Sequence, residues 1–183
     1  MNPEHAVTFA AQGRVPAITM PNIKVQLNQS LADLFKVIAQ EKSVTALWDT
    51  GASKTCISNK LADELGLPPT SMVQMHGAGG MHPSRVFKVD LTIMDRIKIV
   101  DVEVCEFIKS DSFDVLIGMD IICIGDIAIT NADGNTVFSY QIPPASEHID
   151  FVKQVNERNQ REAARAAAPQ ALKSFKKHHR RKH

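Results

Sequence analysis

Leu47-Trp48-Asp49-Thr50-Gly51-Ala52-Ser53 is the stretch on which the reading of this chain turns. An apolar run, Val44 to Trp48, ends in an aspartate, and a threonine, a glycine and two small residues follow at once. Such a run reads as a strand that carries an acid to the edge of a core. A buried carboxylate is costly unless it is paired, hydrogen-bonded or put to use. Gly51 lets the backbone turn and come close to a ligand. Thr50 offers a hydroxyl that can hold the loop, and Ala52 and Ser53 leave the acid uncrowded. The pattern suits a carboxylate that is firmly held and still reachable.

The totals narrow the possibilities. With 183 residues, one domain with an appendage is expected. Apolar residues make up 44% and aromatic residues 5%, so the core must rest on Val, Ile, Leu and Met. The net charge of +1 conceals an asymmetry: Lys173–His183 holds six Lys/Arg and no acid, leaving 15 Lys/Arg against 20 Asp/Glu in residues 1–172. Three cysteines without a CxxC spacing argue against a disulfide framework or a zinc site and for a reducing compartment. The N-terminus lacks the basic cluster and apolar run of a secretory signal, and no window approaches the ~20 apolar residues of a membrane span. These features read as a soluble, cytoplasmic protein with no membrane contact.

Most of the chain up to Pro144 reads as short strands. Ala17–Met20 and Ile23–Leu27 flank Pro21-Asn22, where proline suits an edge or a bulge. Residues 31–40 fit two patterns, a helical face capped by Ser30 or a strand Phe35–Ala39 that turns back into Val44–Trp48; the hairpin is preferred for the second half. Thr55–Ile57 reads as a strand, Ser58 as the cap of a helix to Leu65, and Gly66 as its stop. Met72–His76, Val86–Ile93, and a further pair, Ile97–Val100 and Val102–Phe107, read as strands. So do Val115–Ile117, Ile127–Thr130 and Thr136–Tyr140, the last two joined by the turn Asn131–Asn135. Strands at this spacing indicate a closed or sandwich-like β domain. Composition shifts near residue 145. Glu147–Ala168 is polar and Ala-rich and reads as a solvated helix ended by Pro169. The organisation expected is an N-terminal segment 1–16, a β domain 17–144 and a helical extension with a basic tail 145–183.

Several chemistries lack their residues. There is no phosphate loop and no GxGxxG, and no metal or cofactor is expected. His76 and His82 flank a glycine turn without an acidic partner, and Cys56 has no histidine near it in sequence. An isolated Asp-Thr-Gly is ordinarily a strand-to-turn junction, in which the acid caps backbone amides.

With its surroundings, LWDTGAS resembles the active-site loop of the retropepsin-like aspartic proteases. The likeness continues in order along the chain. A helix, Asn59–Leu65, follows the loop. The Gly77-Ala78-Gly79-Gly80 turn between two strands resembles the family's flap hairpin. Asp114-Val115-Leu116-Ile117-Gly118-Met119-Asp120 resembles its second signature, two apolar residues and a glycine that pack beneath the loop. The resemblance spans roughly residues 18–142. It implies a mostly β, closed barrel-like retropepsin fold with one short helix, here followed by a helical or disordered basic tail. It implies Asp49, Thr50 and Gly51 as the catalytic loop, and Ala52, Ser53, Gly77, Ala78, Gly79 and Gly80 as substrate-binding residues. Two carboxyls are needed, one to activate water and one to protonate the scissile carbonyl. The chain has one Asp-Thr-Gly, and neither Asp120 nor Asp126 is followed by Thr/Ser-Gly, so the second acid must come from a second copy in a two-fold homodimer. In viral members interleaved terminal strands close the dimer, and Met1–Gly13 and residues 136–144 are the candidates for them. Trp48 departs from the family, which has an aliphatic residue before the acid; it should pack on the far face of its strand.

Two other readings stand beside an endopeptidase acting on peptide or protein substrates. One keeps the fold as a catalytically silent peptide-binding or dimerisation module. The other makes the β domain a scaffold for residues 173–183, whose Lys/Arg cluster gives weak contact with nucleic acid or an acidic partner.

Overall fold

A computed structural model of the chain describes residues 5–77, 80–108 and 110–179. The elements in order are β1 (His5–Ala10), β2 (Ile18–Leu27), α1 (Gln29–Phe35), β3 (Glu41–Trp48), β4 (Cys56–Ser58), α2 (Asn59–Glu64), β5 (Ser71–Gly77), β6 (Gly80–Ile93), β7 (Ile97–Phe107), β8 (Val115–Ile117), α3 (Met119–Ile122), β9 (Asp126–Thr130), β10 (Val137–Ile142) and α4 (Phe151–His179). Two units divide the chain, Met1–Ala145 and Ser146–His183.

In the first unit β2, β3, β8, β4, β7 and β6 pair in that order, and β6 pairs back onto β2, so six strands close into a barrel. The fold is mostly β with a closed barrel and short helices, as expected. β3–β8 and β4–β7 are parallel and the other ring pairings antiparallel. β5 extends from β6 as a hairpin arm. A second sheet, β1–β10–β9, is antiparallel throughout.

Local chemistry explains how an alternating sequence fills this barrel. In β2, Ile18 and Met20 point inward, then Ile23, Val25 and Leu27, so the inward phase slips by one residue. Strict alternation would turn the second half inside out. The slip is taken up at Pro21-Asn22, where pairing with β3 jumps from Met20–Ala46 to Ile23–Val44 and Asn22 adopts φ 61°. This is the bulge that Pro21 suggested. A second bulge lies between Val89 and Leu91 of β6, opposite Asp101 at φ 58°. The buried Asp90 carboxylate accepts there from the Asp101 amide (3.1 Å) and from Asn28 Nδ2 (2.9 Å).

Several sequence expectations are corrected. Phe35–Ala39 is not a strand. α1 is capped by Asn28 rather than Ser30, through the Asn28 side chain and the Leu31 amide, and it stops at Lys36 in the left-handed conformation. Ala32 is its buried anchor, while Val37 and Ile38 are exposed, so no sheet face is available to a strand there. Ile97–Val100 and Val102–Phe107 form the single strand β7, because the bulge at Asp101 takes the place of a turn. Among the described residues three short α-helices, α1, α2 and α3, accompany the barrel instead of one. α4 runs through Pro169 to His179; strong helix formers on both sides of the proline (Ala166–Ala168, then Ala171-Leu172-Lys173) offset its local cost of ~3 kcal/mol.

Candidate active site

Asp49 stands where β3 leaves the barrel. β3 and β8 run parallel, Trp48 opposite Ile117, and the Asp49 amide donates to the Ile117 carbonyl at 3.0 Å. The carboxylate is half-buried. Its Oδ1 accepts from the Gly51 amide at 2.8 Å, and its Oδ2 has no hydrogen bond among the described residues. Gly51 has no positive φ; space is what demands glycine, since a Cβ there would lie 3.2 Å from Asp49 Oδ1. The acid is therefore oriented through one oxygen and open at the other.

The loop is fastened from below. The Ala52 carbonyl accepts from the Met119 amide at 2.8 Å. Gly118 fits so closely under the loop that a Cβ would lie 2.6 Å from the Lys54 carbonyl carbon and oxygen. Thr55, fully buried, sends its amide and its hydroxyl to Asp120, and its hydroxyl also accepts from the Gly118 amide at 3.1 Å. Three residues on, Ser58 donates its hydroxyl to Asp114 Oδ1 at 2.9 Å and its amide to the Asp114 carbonyl at 2.8 Å, while its oxygen caps the Leu61 amide of α2. β4 and β8 are antiparallel, so Thr55, just before β4, meets Asp120 beyond the end of β8, and Ser58, the last residue of β4, meets Asp114 just before β8. Gly118 and the apolar β8 thus lie beneath the loop.

The sequence located Asp114 and Asp120 but not this clamp. Asp120 was weighed as a second acid, yet its oxygens are taken by Thr55 and by the Ile121 amide at 2.9 Å. A hydroxyl just before β4 and another on its last residue, matched by carboxylates just before β8 and three residues beyond it, form the signal that marks the pairing. The expectation for Thr50 is corrected: its side chain is exposed and makes no hydrogen bond among the described residues, because Thr55 holds the loop instead. Ser53 is also exposed.

Trp48 is buried beneath the loop, with ring centroids 4.6 Å from Phe138 and 4.9 Å from Tyr140. Both partners belong to β10, so the residue before the acid packs the barrel onto the second sheet. Tyr140 donates to the Ile121 carbonyl at 2.8 Å, and burial pushes its hydroxyl up to about 12. The strands considered as dimer-closing arms, β1 and β10, pair with each other within one chain, from His5–Ile142 to Ala10–Val137.

The flap-like hairpin is β5 with the start of β6, paired from Ser71–Val86 to Gly77–Gly80. Gly80 adopts φ 96°, which favours glycine. Ala78 and Gly79 lie outside the described residues. Met75 of β5 packs against the buried cluster Cys56, Val86 and Cys105, so the hairpin is rooted beside the strand that continues the Asp49 loop. Desolvation raises both thiols of that cluster, Cys56 to about 12.

Comparison with known proteins follows the same residues. Residues 35–121 match the family model described as aspartyl protease. A search of curated sequences returns no match. Among solved structures, the chain is similar to a retropepsin-like aspartic protease from Rickettsia conorii, at 12% identity over 76% of this chain and 94% of that one (TM-score 0.47). It is also similar to the retroviral protease-like domain of Ddi1 from Leishmania major, at 18% identity over 68% and 95% (TM-score 0.37). A foamy viral protease-reverse transcriptase bound to an RNA/DNA hybrid is similar at 18% identity over 60% of this chain and 12% of that one (TM-score 0.38).

Proposed function

We propose that this chain, whose residues 35–121 match the family model described as aspartyl protease, is an endopeptidase that works as a two-fold homodimer with one Asp49 from each copy. The observation that carries the reading is the state of Asp49: one oxygen fixed by Gly51, the other free, on a loop clamped by Thr55–Asp120 and Ser58–Asp114. An acid that served only as a turn cap would not require so braced a loop.

In the dimer, Asp49 and the partner subunit's Asp49 face each other and share one proton, as paired carboxyls do in aspartic proteases generally. The ionised carboxylate takes a proton from a water as that water's oxygen attacks the scissile carbonyl carbon. The protonated one gives its proton to the carbonyl oxygen. The diol then collapses: the C–N bond breaks as the first acid gives its proton to the amine, and one diol hydroxyl returns a proton to the second acid as the C=O bond re-forms. The β5–β6 hairpin lies along an extended peptide and binds it by strand-like hydrogen bonds. The exposed Thr50 hydroxyl is free to bond across the two-fold axis. The three free thiols, Cys56, Cys105 and Cys123, suit a reducing intracellular setting; among the described residues no helix is long and apolar enough to cross a membrane.

Subunit mixing tests the proposal. Excess Asp49→Asn chain, added to wild type and allowed to exchange, should poison cleavage by forming half-sites. A statine-type transition-state mimic should inhibit what remains. Activity proportional to wild-type chain alone, whatever the excess of variant, contradicts a shared site.

A further inference from the structure

Lys54 ends the Asp49 loop. It is exposed and has no ion pair among the described residues, whereas Lys24, Lys42, Lys60, Arg85, Lys88 and Lys98 each lie beside a carboxylate. The loop folds back on itself, with the Ala52 amide donating to the Asp49 carbonyl at 3.3 Å, and the Lys54 backbone packs over Gly118. Lys54 therefore stays near the acid. It also lies toward the root of the β5–β6 hairpin. The next residue, Thr55, accepts at its carbonyl from the Cys105 amide at 3.1 Å; Cys105 pairs with Val86, and Val86 with Ser71 of β5. Burial raises the Cys105 thiol and the positive charge of Lys54 opposes the rise, which puts the ammonium within electrostatic reach of that root.

The hairpin brings no acid to meet this charge. Residues 71–87 contain no Asp or Glu. Cross-strand partners share a face of a sheet, and the pairs Ser71–Val86, Val73–Ser84 and Met75–His82 lie on one face. Val86 and Ser84 are buried and Met75 packs on Cys56 and Cys105, so the face that carries His82 is the one turned to the barrel. Arg85 is on the other face, its charge held by Glu106 and Asp63.

We propose that Lys54 makes this cleft select peptides that carry an acidic side chain within about four residues of the scissile bond. The inference rests on Asp49 as the reacting acid and names the substrate class for that site. An extended peptide rises about 3.3 Å per residue, so four residues cover roughly 13 Å, a span that a long side chain on the same loop can reach. A cation without a partner of its own attracts a carboxylate and repels a basic side chain, which is how a charge discriminates between ligands.

The test offers a library of random ten-residue peptides at about pH 6, where free Asp and Glu are ionised. Wild-type chain is read by its cut sites and Asp49→Asn chain by the peptides it captures, both by mass spectrometry. Asp and Glu should exceed Asn and Gln about three- to fivefold at one or two positions, the scale of an exposed ion pair. The excess should fade between about 50 and 500 mM salt. Lys54→Gln should lose it, and Lys54→Glu should favour Lys and Arg at the same positions. The Lys54 side chain makes no hydrogen bond or ion pair among the described residues, so both variants should stay folded. Cutting without the excess, or an excess that survives Lys54→Gln, overturns the inference and leaves the protease reading intact. No cutting, with a Lys54-dependent excess among the captured peptides, overturns the protease reading and supports recognition of acidic peptides. Neither cutting nor capture overturns both.

Discussion

Thr55 and Asp120 are joined twice: the Thr55 amide donates to Asp120 Oδ2 at 3.0 Å, and the Thr55 hydroxyl donates to Asp120 Oδ1 at 2.6 Å. The same hydroxyl accepts from the Gly118 amide, so one side chain ties the end of the Asp49 loop to the start of α3. Thr55→Val keeps the shape and removes these side-chain bonds, leaving the Gly118 amide without its partner and Asp120 Oδ1 with the Ile121 amide alone. A loss of about 1–3 kcal/mol is expected. Thermal unfolding should show it as a midpoint lower by about 3–10 °C, with most of the loss recovered in Thr55→Ser.

Gly118→Ala should be harmful although the change is one methyl group. The added Cβ would sit 2.6 Å from the backbone carbonyl of Lys54, which cannot swing aside as a side chain could. Overpacking of this kind costs about 1–3 kcal/mol. Because the displaced segment is the Asp49 loop, peptide cleavage should fall further than the stability loss alone explains. Rates compared at a temperature where both proteins are fully folded measure this.

Trp48→Ala should cost about 3–5 kcal/mol, as large-to-small changes at buried aromatic sites do. The ring fills the space between β3 and the Phe138 and Tyr140 rings. Its Nε1 is buried without a hydrogen-bond partner among the described residues, so Trp48→Phe gives up packing area and no hydrogen bond and should be far milder. Denaturant titrations of the two variants give the difference directly.

Stability should decline in alkali. Burial raises the Cys56 thiol from 9.0 to about 12 and the Tyr140 hydroxyl from 10.0 to about 12. For both groups the folded state holds its proton where the unfolded chain has released it. Their contribution is therefore complete below pH 9, erodes as the pH rises past 9 and then 10, and is lost near 12. Urea midpoints measured from pH 8 to 12 should fall across that window. Cys56→Ser should flatten the early part of the decline.

Removing residues 170–183 should leave peptide cleavage unchanged, since Asp49 and its clamp lie in the first unit. Cleavage assays on the truncated protein beside the full chain measure this.

How much of this was legible beforehand depended on how local the cause was. The Asp49 loop, the Ser58 cap of α2 and the Gly77–Gly80 hairpin are set by short stretches, and they stood out in the sequence. Misread features depended on partners far along the chain. Residues 35–39 have the composition of a strand, but they have no neighbour to pair with, and the Asn28 cap decides the helix. β7 looked like two strands because the bulge at Asp101, fixed by the Asp90 carboxylate, imitates a turn. The Thr55–Asp120 tie joins residues 65 positions apart, beyond the reach of any local pattern. Thr50 drew attention through its place in the loop, while Thr55, buried behind it, does the fastening.

The most direct measurement of the central claim is cleavage of a mixed peptide library by wild type and by Asp49→Ala, at pH values from about 3.5 to 7.5, with new termini read by mass spectrometry. Asp49→Ala leaves the Thr55–Asp120 and Ser58–Asp114 ties in place, so the variant should remain folded. The account predicts new termini with wild type, more abundant on the acid side where a carboxyl pair holds its single proton, and none with the variant. Equal cleavage by both proteins, or none by a wild type shown to be folded and dimeric, would contradict it.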